Sequence, residues 1–417
     1  MGSRWYNGAM FSFFLTTGEG HQARSAFLWT WLLNTPFWAI YNILPFILYR
    51  DLGATAWQIT LMITLKPVVS IFSVYWSHYV NKRRDRLVPN VVLGCVLAHL
   101  PFLFFPWFEN IWWFIGSFAL YMLLYRGVIP AWMEILKLSS EGDLRQKLVA
   151  YAISCSYVGS AIFPVFFGWM MDDYVQSWRW IFCITSAISL IAVLVQLRIP
   201  SESDESPLSA PSPHLWSPWK NVWELLCKRP DYRDFQWGFM LGGFGIMVLQ
   251  PALPHFFMDV LNLNYKELGL AMTMCKGVGF ALTSGLWAQW MSRVNIYKFS
   301  SLVVLMFSLF PLGLLSAQYS ILFLFLTYLG YGVMQAGSQL AWKLSGPIFA
   351  ENEDSSLYSS VNVMTVGVRG CVANPLGGLL CTMGGPIVVL LLGFVLCLSS
   401  HFYFQTKIGR KVVVGES

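Results

Sequence analysis

Charged residues are scarce in this chain: only 12% of its 417 residues are Asp, Glu, Lys or Arg, whereas 56% are hydrophobic. Soluble globular proteins carry about 25% charged residues, so about half of the expected charge is missing. A soluble chain of this size has no interior that could cover so much apolar surface, but lipid accepts apolar side chains around a helix. The composition therefore excludes an ordinary soluble protein and predicts a membrane protein.

The sequence also lacks the motifs of enzymes, metal sites and nucleotide-driven pumps. No His-Glu-x-x-His motif, Gly-x-Ser-x-Gly elbow or phosphate-binding loop occurs, and the eight cysteines show neither metal-ligand nor paired-disulfide spacing. We therefore expect no enzymatic activity, no cofactor, no metal and no nucleic-acid partner. There is no cleavable signal-peptide pattern, and the absence of Asn-x-Ser/Thr sequons favours a bacterial origin.

Hydrophobic runs long enough to cross a bilayer occur twelve times. A hydrocarbon core of about 30 Å needs about 20 residues of apolar helix. The predicted spans 1 to 12 cover residues 26–49, 57–79, 88–107, 111–136, 147–171, 178–198, 235–258, 267–291, 299–316, 319–341, 357–381 and 386–404. The sequence thus predicts an all-α membrane protein of twelve transmembrane helices.

The basic residues of the loops predict the orientation of the chain. With a cytoplasmic N-terminus, most of the 27 Lys and Arg residues face the cytoplasm, and only Arg50, Arg179 and Lys266 lie in loops on the other side. Because cytoplasmic loops are enriched in Lys and Arg, both termini are expected to be cytoplasmic. We expect the bacterial inner membrane as the location, with the lipid bilayer as a partner and a monomeric protein.

One long loop divides the chain between spans 6 and 7. Its first part, Pro200–Pro213, is acidic and rich in Ser and Pro, which predicts a disordered linker. Its second part has Trp219, Val222, Trp223 and Leu226 at helical spacing, which predicts a short interfacial helix. The predicted organisation is an N-terminal segment 1–25, a six-helix bundle 26–198, a cytoplasmic linker 199–234, a second six-helix bundle 235–404 and a cytoplasmic tail 405–417.

The two halves of the sequence repeat each other with offsets of 209 to 211 residues. The corresponding features are Leu44-Pro45-Phe46 with Leu253-Pro254-His255, Lys66 with Lys276, Gly159 with Gly370, and Pro164 with Pro375. Duplicated halves are typical of transporter folds that place the substrate site at the interface of the repeats.

Two motifs in the repeats resemble those of a transporter family. Span 5 carries Gly159-x-x-x-Phe163-Pro164-x-x-Phe167-Gly168, and span 11 carries Gly370-x-x-x-x-Pro375-x-Gly377-Gly378. With the 6+6 spans, the long central loop and the cytoplasmic termini, they resemble the major facilitator superfamily, whose span 5 motif reads Gly-x-x-x-Gly-Pro-x-x-Gly-Gly. The glycines allow close helix approach, and neighbouring helices tolerate the proline bend.

The resemblance implies two pseudo-symmetric six-helix bundles and secondary active transport by alternating access. It also implies a central cavity lined by spans 1, 2, 4, 5, 7, 8, 10 and 11. The loop after span 2 keeps the basic end of the family motif at Lys82-Arg83-Arg84, but no aspartate stands at the family's position.

Four cations lie deep inside predicted spans. A charged residue in a helix core costs about 2.5–3.5 kcal/mol on insertion scales, so Lys66, Arg126, Lys276 and Arg369 are expected to face a wet or protein-lined interior. Glu134 is the one carboxylate predicted within these spans, and it lies about 12 Å along the helix from Arg126, too far for a direct bond. We favour a small organic anion as the substrate, with purely structural cations as the alternative.

Further candidates for the cavity are polar or aromatic. Asn34, Trp38, Tyr157 and Gln335 are predicted to line it, with ordinary helix packing as the alternative. Glu134 and His255 are the proton-coupling candidates, and exchange against a counter-anion would need neither. His99 is interpreted as structural, and Trp107 and Trp178 are predicted to anchor helices at the membrane interface.

Two other functions fit the same sequence. One is the export of a larger amphiphile, such as a siderophore-like or lipid-like compound. The other is a transporter-like membrane receptor without flux. Measurement of substrate flux in proteoliposomes would distinguish transport from reception.

Overall fold

The structure is a computed structural model that describes residues 20–80, 84–139, 142–174, 176–200, 217–350 and 355–409. Secondary structure in these ranges is helical, without a strand. The α-helices are α1 His21–Tyr41, α2 Leu44–Leu52, α3 Ala56–Val80, α4 Leu87–Leu103, α5 Ile111–Ser139, α6 Gly142–Asp173, α7 Ser177–Gln196, α8 Ser217–Lys228, α9 Pro230–Leu249, α10 Ala252–His255, α11 Tyr265–Gly269, α12 Lys276–Met291, α13 Ile296–Ser316, α14 Ile321–Ala350 and α15 Ser355–Gln405. Short 3₁₀ turns cover Arg84–Arg86 and Phe105–Trp107, and π turns cover Phe256–Val260 and Leu270–Cys275.

Each predicted span coincides with a helix or with consecutive helices, which confirms the all-α membrane fold. Six helices of the described ranges are long and apolar enough to cross a membrane, or eight when each of two bent pairs counts as one span. The longest helix, α15, contains both span 11 and span 12. It is broken at Gly385, whose backbone is left-handed with φ of 80°, and Pro386 follows directly.

Two spans that were predicted to be continuous are broken in the structure. Span 1 is divided at Asn42–Ile43 and span 7 at Gln250–Pro251, where the axis bends by 42°. Proline lacks the N–H that would bond to the carbonyl four residues earlier, so Pro45 and Pro254 interrupt the two helices at equivalent places. The repeated Leu-Pro pairs of the sequence therefore mark the breaks of both helices.

The described residues form two compact units, and the first lies within residues 1–43, 72–163 and 174–210. Its core is aromatic: Phe37 is fully buried and contacts the rings of Phe102 and Tyr121 at 4.8 Å. The prediction of Trp178 as an interface anchor is wrong, because this side chain is fully buried beside Phe114. Aromatic burial inside the bundle outweighs the preference of tryptophan for the interface.

The second unit lies within residues 44–71, 164–173 and 211–417. It therefore contains α2, the first part of α3 and the end of α6, besides the helices from α8 onward. Its core packs α9 against α15 and α13, and Tyr232 and Phe235 of α9 are buried with Tyr297 of α13 and Phe349 of α14.

A helix forms where the interfacial helix was predicted. In α8, Val222 and Leu225 are buried, whereas Trp223 is 70% exposed. This division of faces is that of an amphipathic helix. The predicted linker falls almost wholly on residues 201–216, which lie outside the described ranges, as do residues 1–19 and 410–417 of the predicted terminal segments.

Candidate functional site

In the first unit, two predicted site residues belong to one polar-aromatic cluster. Asn34 donates from Nδ2 to the Tyr121 hydroxyl at 3.1 Å, and its Oδ1 lies 2.9 Å from Nε2 of His99. Trp38 is half-buried and stacks on Tyr125, with 5.1 Å between the ring centroids. Asn34 is thus held in place by contacts within the unit, and His99 is one of the residues that hold it.

The other predicted residues of the first unit lie apart from this cluster or outside the described side chains. Arg126 follows Tyr125 on α5, and its side chain is exposed on the unit. Glu134, two turns later, pairs with Lys137 at 3.4 Å. The side chain of Tyr157 lies outside the described part of the structure, as does most of the Lys82-Arg83-Arg84 motif.

In the second unit, Arg369 is buried among neutral partners. Its side chain is 7% exposed, Nη1 donates to the Phe239 carbonyl at 3.1 Å, and Nε lies 3.3 Å from Sδ of Met247. The guanidinium also lies over the Phe239 ring, 5.7 Å from its centroid. Within the described residues no ion pair involves Arg369, and Nη2 has no protein partner there. The positive charge is therefore solvated by dipoles and not neutralised by an acid.

Gly243 makes room for this guanidinium. A methyl group at Gly243 would overlap Nη1 and Cζ of Arg369. The glycine lets the side chain from α15 lie flat against α9, where the Phe239 carbonyl is within reach. The sequence of α9 has four glycines between positions 238 and 245, but it does not show that an arginine from a remote helix fills the space beside one of them.

Polar residues of α15 that precede Arg369 pack partly against α9. Asn362 is buried, accepts hydrogen bonds at Oδ1 from Tyr232 at 3.0 Å and from Gln236, and donates to the Ser345 hydroxyl at 2.9 Å. Thr365 donates to its own helix at the Val361 carbonyl. This stripe is a buried network that leads along α15 to Arg369.

Two predicted cations of the second unit lie next to close helix contacts. Lys66 is half-buried on α3, and the following residue, Pro67, packs against Gly370, the neighbour of Arg369. The segments that carry Lys66 and Arg369 are therefore in contact. Lys276 is half-buried at the start of α12, and its carbonyl packs against Gly332 of α14. Gln335, also half-buried, lies three residues beyond Gly332.

Lys276 and His255 each adjoin a π turn. The turn Leu270–Cys275 ends just before Lys276, and the turn Phe256–Val260 begins just after His255. Single π turns within α-helices are frequent at functional sites. Neither turn could be read from the sequence, because neither contains a glycine or proline that would mark a departure from the regular helix.

The motif residues of spans 5 and 11 lie at close helix contacts. A Cβ at Gly159 would overlap Thr35, and one at Gly378 would overlap Thr60. A Cβ at Gly168 would lie 2.5 Å from the Tyr265 carbonyl oxygen, and the carbonyl of Pro164 packs in the same way against Gly269. Pro375 lies inside α15, which continues through it. Threonine side chains at Gly159 and Gly378, and backbone at Gly168, leave no room for a larger residue.

His255 belongs to a cluster that the sequence did not predict as a whole. Its Nδ1 lies 3.4 Å from Oδ2 of Asp259, and its ring lies 4.3 Å from that of Tyr49, which donates its hydroxyl to the same carboxylate oxygen. These residues line a cavity of about 570 Å³ together with Arg50 and Asn262. The charged loop residues after spans 1 and 7 were the available signal.

A second cluster surrounds Asp172 at the end of α6. Its carboxylate accepts the backbone N–H groups of Tyr265 and Lys266, each at 2.9 Å, and lies 3.8 Å from Nη1 of Arg50. The Tyr265 hydroxyl donates to Asp51 at 2.8 Å. Burial raises the pKa of Tyr265, and the adjacent Asp51 carboxylate raises it further, so the phenol stays protonated as the donor. Asp172 thereby ties three segments of the second unit together.

These helices, with their repeated breaks and close glycine contacts, define a multi-pass membrane transporter. The sequence profile of the Major Facilitator Superfamily matches residues 26–347. The match covers more than half of the chain, so the chain belongs to the major facilitator superfamily. No curated protein sequence matches the chain.

Several solved transporters share the fold at low sequence identity. The nucleoside transporter NupG has a TM-score of 0.72 at 12% identity, covering 93% of this chain and 100% of its own. A POT family transporter in complex with 5-aminolevulinic acid has a TM-score of 0.72 at 13% identity, covering 92% and 96%. A bacterial homologue of the human lysosomal transporter Spinster has a TM-score of 0.64 at 12% identity, covering 94% and 96%. These likenesses show the fold.

Proposed function

We propose that this protein is a secondary active transporter that moves a small organic anion by alternating access between its two helical bundles. The observation that carries the proposal is the state of Arg369, which is buried and bonded to a carbonyl and a thioether but to no acid of the described residues. A buried charge without a counter-charge is costly. A bound anion would supply the missing partner.

The neighbouring cations support the same assignment. Lys66 precedes Pro67, which packs on the residue after Arg369, and Lys276 is related to Lys66 by the internal repeat. Ionisable residues in membrane-spanning segments mark substrate pathways by default. We propose Arg369, Lys66, Lys276 and Arg126 as the anion-binding residues, with Asn34, Trp38, Tyr157 and Gln335 as further cavity residues.

Of the two proton-coupling candidates, His255 has the better support. It contacts Asp259 and lines a cavity, whereas Glu134 pairs with Lys137 near the end of α5. Uptake driven by a pH gradient, compared with uptake driven by an internal anion, would separate proton symport from exchange. Loss of only the proton-driven uptake in His255→Gln would support the role of His255.

The test of the proposed function is flux in proteoliposomes. We expect saturable uptake of at least one mono- or dicarboxylate or phosphorylated solute, and none of a neutral nucleoside used as the uncharged comparison. Arg369→Gln should lower kcat/KM by about 100-fold, because a hydrogen bond to a charged group contributes about 1.5–3 kcal/mol. Lys298→Gln removes an exposed lysine at the start of α13 and should not change the flux.

The proposal fails if anion flux survives all of four single substitutions, Lys66→Ala, Arg126→Ala, Lys276→Ala and Arg369→Gln. It also fails if only neutral solutes are carried. A protein that binds anions without any flux would instead be a receptor with a transporter fold.

A further inference from the structure

The cavity beside His255 has the size and the chemistry of a separate ligand site. Its volume of about 570 Å³ lies within the range of about 300–1,000 Å³ that is usual for small-molecule sites. Polar groups on its wall come from Arg50, Asp259 and Asn262, and Met258 and Leu263 add apolar surface. All of its lining belongs to the second unit.

In this cavity the guanidinium of Arg50 has N–H donors that can bind a ligand. Its side chain is 40% exposed, and its nearest acid, Asp172, is 3.8 Å away from Nη1, which is beyond hydrogen-bond distance. Cζ of Arg50 lies 4.5 Å from the centroid of the Tyr265 ring, and this cation–π contact holds the group without using its N–H bonds. A guanidinium has five N–H donors, which are thus available to a carboxylate.

The carboxylate of Asp259 has one oxygen, Oδ1, that can accept a hydrogen bond from a ligand. The Tyr49 hydroxyl and Nδ1 of His255 both contact Oδ2, which leaves Oδ1 without a partner in the described part of the chain. The side chain is 55% exposed. The contacts to Oδ2 fix the carboxylate, and Oδ1 is left to accept a hydrogen bond from a ligand.

From this pairing we infer that the cavity binds a small zwitterion, a compound with a carboxylate for Arg50 and a primary ammonium for Asp259. A simple anion would bind Arg50 but would be repelled by the carboxylate of Asp259. A simple amine would bind Asp259 but would be repelled by the guanidinium of Arg50. A ligand with both groups adds a partner to each charge, to Arg50 beside its ion pair with Asp172 and to Asp259 beside its contact with His255, and its methylene groups can pack on Met258 and Leu263. This site does not depend on the proposed anion site at Arg369, since it uses neither Arg369 nor the other three deep cations.

The ligand class can be tested on the purified full-length protein by isothermal titration calorimetry. The probes are γ-aminobutyrate, butyrate and butylamine, which share a four-carbon chain but carry both charges, the negative charge or the positive charge. We expect γ-aminobutyrate, or a shorter or longer ω-amino acid from glycine to 6-aminohexanoate, to bind about tenfold more tightly than either half-molecule. Equal affinities, or no binding by any ω-amino acid, would overturn the inference.

Three variants locate the site. Arg50→Gln and Asp259→Asn should each weaken ω-amino acid binding at least about tenfold, whereas Lys266→Gln, which removes an exposed cation outside the cavity lining, should not. Unchanged binding in both lining variants would place the ligand elsewhere and refute the site. If Arg50→Gln does not fold, the probe series on the unaltered protein and the Asp259→Asn variant still test whether the cavity binds a zwitterion. Arg369→Gln should keep this binding even if it abolishes anion flux, which separates the two proposals.

Discussion

Two largely buried arginines of the second unit differ in their partners: Arg229 is paired with an acid, and Arg369 has neutral partners. Arg229 has a side chain 12% exposed and forms a bidentate pair with Asp231, with N···O distances of 3.1 and 2.9 Å. It also donates to the Tyr358 hydroxyl at 3.0 Å. Arg369 is 7% exposed, but its contacts are a carbonyl, a thioether and an aromatic ring.

The difference separates a charge that is neutralised within the fold from one that we propose to bind the substrate. The carboxylate of Asp231 neutralises the charge of Arg229 and fixes the position of its guanidinium, so we expect this arginine not to bind a ligand. Arg369 keeps its full charge in a low-dielectric setting, where interactions with another charge are strong. Burial alone therefore does not support a binding role, and burial without a counter-charge is the observation on which the proposed role of Arg369 depends.

The largest effect is expected from breaking the compensated pair. Asp231→Ala should destabilise the protein by about 3–5 kcal/mol, because it leaves Arg229 buried without its acid. Unfolding in mixed detergent micelles would measure this change. As a control, Glu224→Ala removes the acid of an exposed pair with Lys220 and should cost less than about 1 kcal/mol. Similar losses in the two variants would contradict the contrast.

Removal of the uncompensated charge of Arg369 should change the stability less than breaking the pair of Arg229 and Asp231. Arg369→Met keeps most of the volume and is expected to change the stability by less than about 1–2 kcal/mol, since replacing a buried charge by an apolar residue is often neutral or stabilising. The same unfolding measurement applies, and anion binding should be lost in parallel. A loss of stability as large as that of Asp231→Ala would show that Arg369 is structural.

A methyl group at Gly243 should displace Arg369 without unfolding the protein. The atoms that it would overlap are the flexible end of the arginine, so the guanidinium can move away at little cost in stability. We expect anion affinity to fall about tenfold, or about 1.4 kcal/mol, with a melting temperature close to that of the parent. Gly330→Ala, which meets nothing within 4 Å, is the matched control, and an equal fall there would refute the interpretation.

The smallest effect is expected at Asp172. Asp172→Asn keeps the size of the side chain but removes the negative charge that faces the first N–H groups of α11 and Nη1 of Arg50. A charge at a helix N-terminus contributes about 0.3–1 kcal/mol, and thermal unfolding should fall accordingly. Asp173→Asn, at the next position, serves as the comparison. A larger loss at Asp173 than at Asp172 would contradict this assignment.

The sequence predicted the helices well because their signal is local. A run of about 20 apolar residues forms a spanning helix. The repeated prolines, Pro45 and Pro254, lie just after the positions at which spans 1 and 7 are broken in the structure. The breaks themselves, at Asn42–Ile43 and Gln250–Pro251, were missed because each hydrophobic run continues past its proline. Trp178 was misassigned because the interface preference of tryptophan does not tell which ends of a helix are covered by other rings.

The site was predicted less completely, because its defining contacts join remote segments. Arg369 stood out as a charge within an apolar run, but its partners Phe239 and Met247 are about 120 to 130 positions away and carry no sequence signal. The cluster of Tyr49, Arg50 and Asp259 was likewise hidden, since Tyr49 and Arg50 lie at the end of span 1 and Asp259 lies at the end of span 7. Single charges can be found by hydropathy, whereas their compensation depends on which helices pack together.

The π turn Leu270–Cys275 gives the helix after it a particular sensitivity to length. Such a turn accommodates one residue more than a regular helical turn would, and successive residues of an α-helix are rotated by about 100°. Deleting that extra residue would let a continuous α-helix form with the ammonium of Lys276 on the same side, whereas deleting a residue from the regular helix before the turn would rotate Lys276 by about 100° to another side. The chemistry of this position is therefore set by the number of residues before it as much as by the lysine itself.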